Sequence, residues 1–320
     1  MNALLRLGLA AVILSFAAVA SAQTYPSKPV RMIVPFAPGG ATDVIARIMA
    51  GRLQEAWGQG VVVENRAGAG NIVGTEAVAK AAPDGYTIGV VVTSHLVNPS
   101  LRKDLPYDTL KDFAGVMQLA VLHVAVAVHP SFPATTIQQL VDMAKKTPGK
   151  IPYGSSGTGT AMHLGFELFK AAAGIDMPHV AYKGSAPAVQ DGLGGTIQVL
   201  AVEQSAVAQH VAAGKFRILA LMSPQRVKGL ENIPVLAESY PGVEMLANVG
   251  IVVPAATPRD IIRRINAEMN RQLQVAEVSG RIRQAGMEPK GGTPEEFDAY
   301  VRAQIVRMAQ AVKVSGATAD

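Results

Sequence analysis

One turn, used again and again, constrains this 320-residue chain most: a short apolar strand runs into small residues and hydroxyls, and a helix begins at once. Residues 30–36 end in Pro38-Gly39-Gly40, after which Thr42 or Asp43 is placed to cap a helix with the apolar stripe Val44, Ile45, Ile48, Met49 and Leu53. Gly58 and Gly60 stop that helix. Residues 61–63 make the next strand, 75–81 the next helix, and 87–92 a third strand after Pro83-Asp84-Gly85. A β-α-β-α-β opening predicts a parallel sheet with helices on its faces, because parallel neighbours need a long crossover.

The pattern then repeats. Strands are expected at 124–128, 151–154, 179–182, 197–202, 217–221 and 250–253, with helices at 137–145, 160–173, 186–193 and 205–213. Two amphipathic helices close the chain, one carrying Ile261, Ile265, Met269 and Leu273, the other Phe297, Val301, Ile305, Met308 and Val312. Stripes of this width are expected to pack on their own domain. No low-complexity linker divides the chain, so the two α/β halves are expected to be joined by more than one crossing. These are placed near residues 122–124 and 248–250, giving a discontinuous first domain (23–122 plus 249–320) and a second (123–248).

Composition narrows the chemistry. Apolar residues make up 49% and charged residues 17%, which excludes disorder. The absence of Cys removes disulfide scaffolds, thiolate metal sites and thiol nucleophiles together. The net charge of +5 comes from 29 Lys+Arg mixed among 24 Asp+Glu, a solvated surface rather than a nucleic-acid footprint. Residues 1–22 read as a leader for export: Arg6 near the start, an apolar run over 7–19, and Ala20-Ser21-Ala22 before Gln23. The run is shorter than a bilayer core requires. An exported, soluble protein in the periplasm is expected.

Catalytic signatures are absent: no G-x-S-x-G elbow, no phosphate loop, no H-E-x-x-H helix. The six histidines are scattered without metal-ligand spacing, and only His163 adjoins a loop of interest. No metal or cofactor is expected. Three turns carry more information: residues 35–43, residues 153–160, and Tyr182-Lys183-Gly184-Ser185-Ala186-Pro187. Small residues let a ligand approach the backbone, and helix-start amides carry partial positive charge, so facing turns hold a carboxylate without lysine or arginine. For any single turn, ordinary helix capping explains the same residues.

At these residues the chain resembles the Bug-type periplasmic receptors of tripartite tricarboxylate transporters. The resemblance runs from Tyr25-Pro26-Ser27-Lys28-Pro29-Val30-Arg31 through Val62-Val63-Glu64-Asn65-Arg66-Ala67-Gly68-Ala69-Gly70, Ala82-Pro83-Asp84-Gly85-Tyr86-Thr87, Asn98-Pro99-Ser100-Leu101 and Leu105-Pro106-Tyr107-Asp108 to Gly291-Gly292-Thr293-Pro294-Glu295. It implies an α/β, two-domain periplasmic-binding-protein (Venus-flytrap) architecture closing on a small organic carboxylate, with membrane transporter subunits as partners, no nucleic acid, and a monomeric receptor. Carried over residue by residue, it places Phe36, Ala37, Thr42 and Asp43 on one side of the ligand. Ser155, Ser156, Gly157, Thr158 and Thr160 lie on the other, with Ser185 and Ala186 starting a neighbouring helix. Three places depart from the family pattern: Glu203 where an aspartate is usual, Asn248-Val249 where a bulky aromatic pair is usual, and Thr93-Ser94-His95-Leu96 in place of a small-residue loop. These are expected to border the distal part of the pocket, so Ser94 and Glu203 join the candidate ligand contacts. A sensory receptor, or a cleft hydrolase or lyase working through Asp43, Glu203 and His163, are the alternative functions.

Overall fold

The structure, a computed structural model, describes residues 25–317; the expected leader at 1–22 lies outside the described residues. Strands β1 (Val30–Val34), β2 (Val61–Asn65) and β3 (Thr87–Val92) alternate with helices α1 (Ala41–Trp57) and α2 (Ile72–Ala79). β1 is parallel to both neighbours, with Val30 opposite Val61 and Arg31 opposite Thr87. β1 and β3 are almost wholly buried, as strands covered on both faces must be. α1 starts one residue ahead of the expected cap: Gly40 holds the capping position, and neither Thr42 nor Asp43 fills it.

After β3 the chain enters α3 (Thr93–Leu101) directly, so residues 93–96 form a helical turn rather than a loop. β4 (Phe113–Val128) follows and is far longer than the expected 124–128. Two register irregularities, between Gly115 and Met117 and between Gln118 and Ala120, interrupt its apolar alternation and hide its first part from a periodicity reading. β4 is the member common to both halves. Residues 113–123 pair with one half and 124–128 with the other.

The second half contains α4 (Ile137–Lys146), β5 (Tyr153–Ser155), α5 (Ala161–Ala173), β6 (His179–Ala181), α6 (Ser185–Leu193), β7 (Val199–Glu203), α7 (Gln204–Ala212) and β8 (Arg217–Leu221). β5 lies parallel between β6 and β7, while β7 and β8 run antiparallel to β4. The chain then returns. β9 (Leu246–Pro254) runs antiparallel to β3 and to β4, with Leu246 opposite His123. α8 (Arg259–Leu273), α9 (Ala276–Gln284), β10 (Met287–Gly291) and α10 (Pro294–Ser315) complete the first half, β10 pairing with β4.

The sheet runs in the order β2-β1-β3-β9-β4-β7-β5-β6. Met32, Met49, Leu53 and Ile88 centre the core of one half; Tyr153, Phe166 and Phe169 centre the other. α8 buries Ile265 and Met269 in its own half as its stripe predicts. α10, which packs Phe297 against Gly115 and Gly250 there, also lies against α5 of the second half, beyond the expectation that it packs on its own domain alone. A smaller cluster of Val189, Leu200, Val202, Val207 and Phe216 seats α6 and α7 on β7. That seat fixes where the starts of both helices point. Among the described residues no helix is long and apolar enough to cross a membrane.

Candidate ligand-binding cleft

Three helices begin at one cavity, α1 from the first half and α6 and α7 from the second. In each, the residue before the helix (Gly40, Gly184, Glu203) gives no side-chain cap, so the leading amides lack that acceptor. The outer chamber has a volume of about 440 Å³ and is lined by Gly39–Thr42, Gly184–Ala186, Ser205 and Ala206, among others. That size is usual for a small-molecule site. α5 differs from these helices. Its Thr160 hydroxyl accepts from the His163 amide at 3.4 Å and donates to the Gly157 carbonyl at 2.7 Å, so its start is already served.

A narrow inner chamber of about 20 Å³ continues between the halves, lined by Val92, Ser94, Leu122, Thr160, Met162 and Asn248 among others. Phe36, Thr42, Ser156 and Glu203 line both chambers and form a waist, two residues from each half. The Ser156 and Ser205 hydroxyls are buried without a hydrogen-bond partner, and Ser156 is only 4% exposed. Leaving such a group unsatisfied costs about 1–3 kcal/mol, so a polar ligand atom at the waist would relieve it.

The electrostatics of the cleft rest on backbone and hydroxyls. Among the described residues, no lysine or arginine lines either chamber. The Ser185 hydroxyl donates to the Glu203 carboxyl. Burial pushes that carboxyl above the usual range and outweighs the downward pull of the Ser185 bond. Asp43 behaves oppposite in sign: burial pushes it up, but hydrogen bonds from Arg47, the Gly39 amide and Asn65 hold it below the ordinary aspartate range.

The expected ligand contacts separate into two groups. Phe36, Thr42, Ser94, Ser156, Thr160, Ser185, Ala186 and Glu203 line one or both chambers. Asp43 sits behind the first turn, accepting from Gly39 N at 3.0 Å, Arg47 Nε at 2.9 Å and Asn65 Nδ2 at 2.8 Å. Ser155 is turned away as well: its hydroxyl meets His179 Nε2 at 2.7 Å and accepts from the Gly157 amide at 3.1 Å. Ala37, Gly157 and Thr158 are not among the lining residues. Gly157 instead adopts a φ of 127° with the Tyr182 carbonyl so near that a Cβ would lie 2.9 Å from it. His163 also lies outside the lining; its Nδ1 accepts from the Gly159 amide and its ring stacks on His179 at 4.2 Å. Of the acid–base trio Asp43, Glu203 and His163, Glu203 alone lines the cavity. Among the described residues no three His, Asp or Glu side chains gather as a metal site.

Sequence reasoning passed over the start of α7. There Glu203-Gln204 join strand to helix directly, without the glycine that marks the other three turns, so Ser205 and Ala206 carry no such signal. Gln284, Ala285 and Gly286 line the outer chamber too, brought there by the return of the chain, with no local signal.

The departures Ser94, Glu203, Asn248 and Val249 all line the inner chamber. Residues 45–316 match the model of the tripartite tricarboxylate transporter family receptor. Protein BugT of Bordetella pertussis is 36% identical over 94% of this chain and 93% of its own. The structure of R. palustris Rpa4515 with adipate superposes with a TM-score of 0.88 at 32% identity, over 92% of this chain and 99% of that one. MatC (Rpa3494) from Rhodopseudomonas palustris with bound malate gives 0.85 at 26% identity, over 90% and 100%. The fold is thus that of the two-domain periplasmic binding proteins, with the cleft between the domains, and the chain belongs to the tripartite tricarboxylate transporter receptor family.

Proposed function

We propose that this protein is a periplasmic solute-binding receptor that captures a small carboxylate in the cleft and delivers it to a tripartite tricarboxylate-type membrane transporter. One observation carries the reading: the uncapped starts of α1 and α6, from opposite halves, meet at a cavity that also holds the unpartnered Ser156 hydroxyl. Amides at two helix starts stabilise an anion without a cationic side chain. The proximal carboxylate would lie between Gly40–Thr42 and Gly184–Ala186, with Ser156 completing its hydrogen bonds. The bodies that close on it would be residues 23–122 with 249–320 and residues 123–248, hinged where β4 passes from one to the other. Adipate and malate in the related structures support a carboxylate as the ligand class.

A thermal-shift screen of the ligand-free protein against mono- and dicarboxylates tests this. A true ligand at about 100 times its Kd adds about 2.7 kcal/mol to stability. No shift with any carboxylate overturns the ligand class. Co-purification with the transporter's membrane subunits, strengthened by that ligand, tests the partner.

A further inference from the structure

A larger cavity, of about 780 Å³, adjoins the outer ligand chamber. Residues 223–230 of the second half form one wall; Arg283 and residues 286–290 of the first half form the other. Gly286 lines both spaces, and Gln204 here is the chain neighbour of Ser205 there, so the two cavities stand back to back across one seam. Ser223 ties the second-half wall to the crossing strand, its hydroxyl meeting His123 Nδ1 of β4 at 2.8 Å.

The two spaces differ in charge. Where the ligand chambers have no lysine or arginine, this cavity is lined by Arg226, Lys228, Arg283 and Lys290 against the carboxylate of Glu288. Arg226 is committed to Glu238 at 2.6 and 2.8 Å, and Lys290 to Glu288 at 2.8 Å. Arg283 is exposed and forms no ion pair or hydrogen bond among the described residues. Lys228, also exposed, adds a minor downward pull on the Glu231 carboxyl, which the Gly229 amide chiefly lowers, without forming an ion pair. Leu230, Leu246 and Met287 give the same cavity an apolar surface.

We propose that this cavity receives an acidic segment of the transporter's membrane subunits, and receives it more tightly when the receptor holds its ligand. The inference rests on the reading of this protein as a transport receptor. Charge fixes the sign of the partner: an anionic segment meets two cations, Lys228 and Arg283, that no ion pair neutralises, and its apolar side chains meet Leu230 and Met287. A small anion would leave both cations in water, where single contacts contribute little, whereas a protein segment covers them. A flat lipid surface cannot enter a concavity between two halves. Dependence on ligand follows from the seam. Each wall belongs to a different half, so the spacing of Lys228 and Arg283 changes with the angle between the halves. A partner that fits the closed spacing binds that state better.

The test is biosensor binding of the full receptor to the membrane subunits in nanodiscs of neutral phosphatidylcholine, with and without the carboxylate found by thermal shift. Wild type is expected to bind, more tightly with the carboxylate and less tightly as salt is raised. Lys228→Glu combined with Arg283→Glu should weaken binding by about tenfold or more. Lys145→Glu combined with Lys146→Glu, on the exposed side of α4, makes the same change in net charge and should stay within about twofold of wild type. Neither pair lines a ligand chamber, so both variants should keep wild-type carboxylate affinity, which also establishes that they are folded. Equal binding by the two double variants overturns the inference and leaves the transport reading intact. So does binding that ignores the carboxylate, or equal binding to discs without the subunits, which would make lipid the partner. Inorganic phosphate that binds wild type but not Lys228→Glu/Arg283→Glu, with disc binding unchanged, would reassign the cavity to small anions. Wild type that binds a carboxylate but no disc overturns the transporter partnership and this inference together.

Discussion

Ser205, in the first turn of α7, and Gly286, just beyond α9, touch across the two halves so closely that a Cβ on the glycine would lie 2.1 Å from the Ser205 Cβ. Gly286 also holds a φ of 73°, which costs other residues about 1–2 kcal/mol. Both residues line the outer chamber, so the contact sits at its rim. Gly286→Val should hold the halves apart. The expected result is a loss of carboxylate affinity of tenfold or more, and a larger radius of gyration by X-ray scattering in the presence of ligand. Wild-type affinity with unchanged scattering would show that closure does not use this contact.

At the waist, Ser156→Asp introduces a charge where the ligand carboxylate is proposed to bind. Two unit charges about 4 Å apart repel by about 4 kcal/mol at an effective dielectric of about 20, equivalent to roughly a thousandfold in Kd. Lys145→Asp on the exposed side of α4 is the control and should leave affinity nearly intact. Titration of both folded variants with the ligand from the screen decides; equal Kd values for Ser156→Asp and wild type would remove Ser156 from the site.

Asp43 supports the first turn from behind, and its titration makes that support acid-sensitive. Its folded-state pKa lies below the ordinary value near 3.8, so its contribution is complete above about pH 4 and disappears as pH falls through the depressed value. Asp43→Ala should cost about 1–3 kcal/mol at pH 7, chiefly through the Gly39 and Asn65 bonds, since the exposed Arg47 adds little. Urea unfolding at pH 7 and pH 3 should show a smaller difference between the two proteins at pH 3.

Glu203 predicts the reverse sign. A carboxyl raised in the folded state holds its proton more tightly there than in the unfolded chain, so stability falls as pH rises above about 4.5 toward the raised value. Glu203→Gln should therefore melt no lower than wild type at pH 8, and its melting temperature should fall less between pH 5 and pH 8. A variant that loses more than wild type over that range would place Glu203 in an ionised, stabilising role.

Export through a cleaved leader would leave a chemical trace. The mature protein is expected to begin at Gln23, and intact-mass measurement of the exported form checks it; a retained Met1 would sink the leader assignment.

Most of the element order is visible in the primary structure. Val30-Arg31-Met32-Ile33-Val34, the Gly58 stop and the Phe297, Val301 and Met308 stripe are local patterns, and local patterns report on local backbone and burial. The first part of β4 is not visible, because its bulges break the alternation that identifies a strand. The site divides in the same way. The turns at 39–42 and 184–186 are legible as small residues before helices, whereas the inward turn of Ser156 and the outward turn of Ser155 are not. Adjacent residues on a strand end point to opposite faces, and which face meets the cleft depends on the sheet's place in the whole.

The sequence by itself determined the α/β alternation, the two-part organisation and the absence of thiol chemistry, since periodicity and composition act through neighbours in the chain. Tertiary structure alone decided that α1, α6 and α7 begin at one cavity, that Asp43 and Ser155 stand behind it, and that Gly286 reaches Ser205 from 81 residues away. Those are consequences of β4 serving both halves and of β9 bringing the chain home. Such contacts join residues whose separation along the chain leaves no periodic mark, so only the folded backbone reveals them.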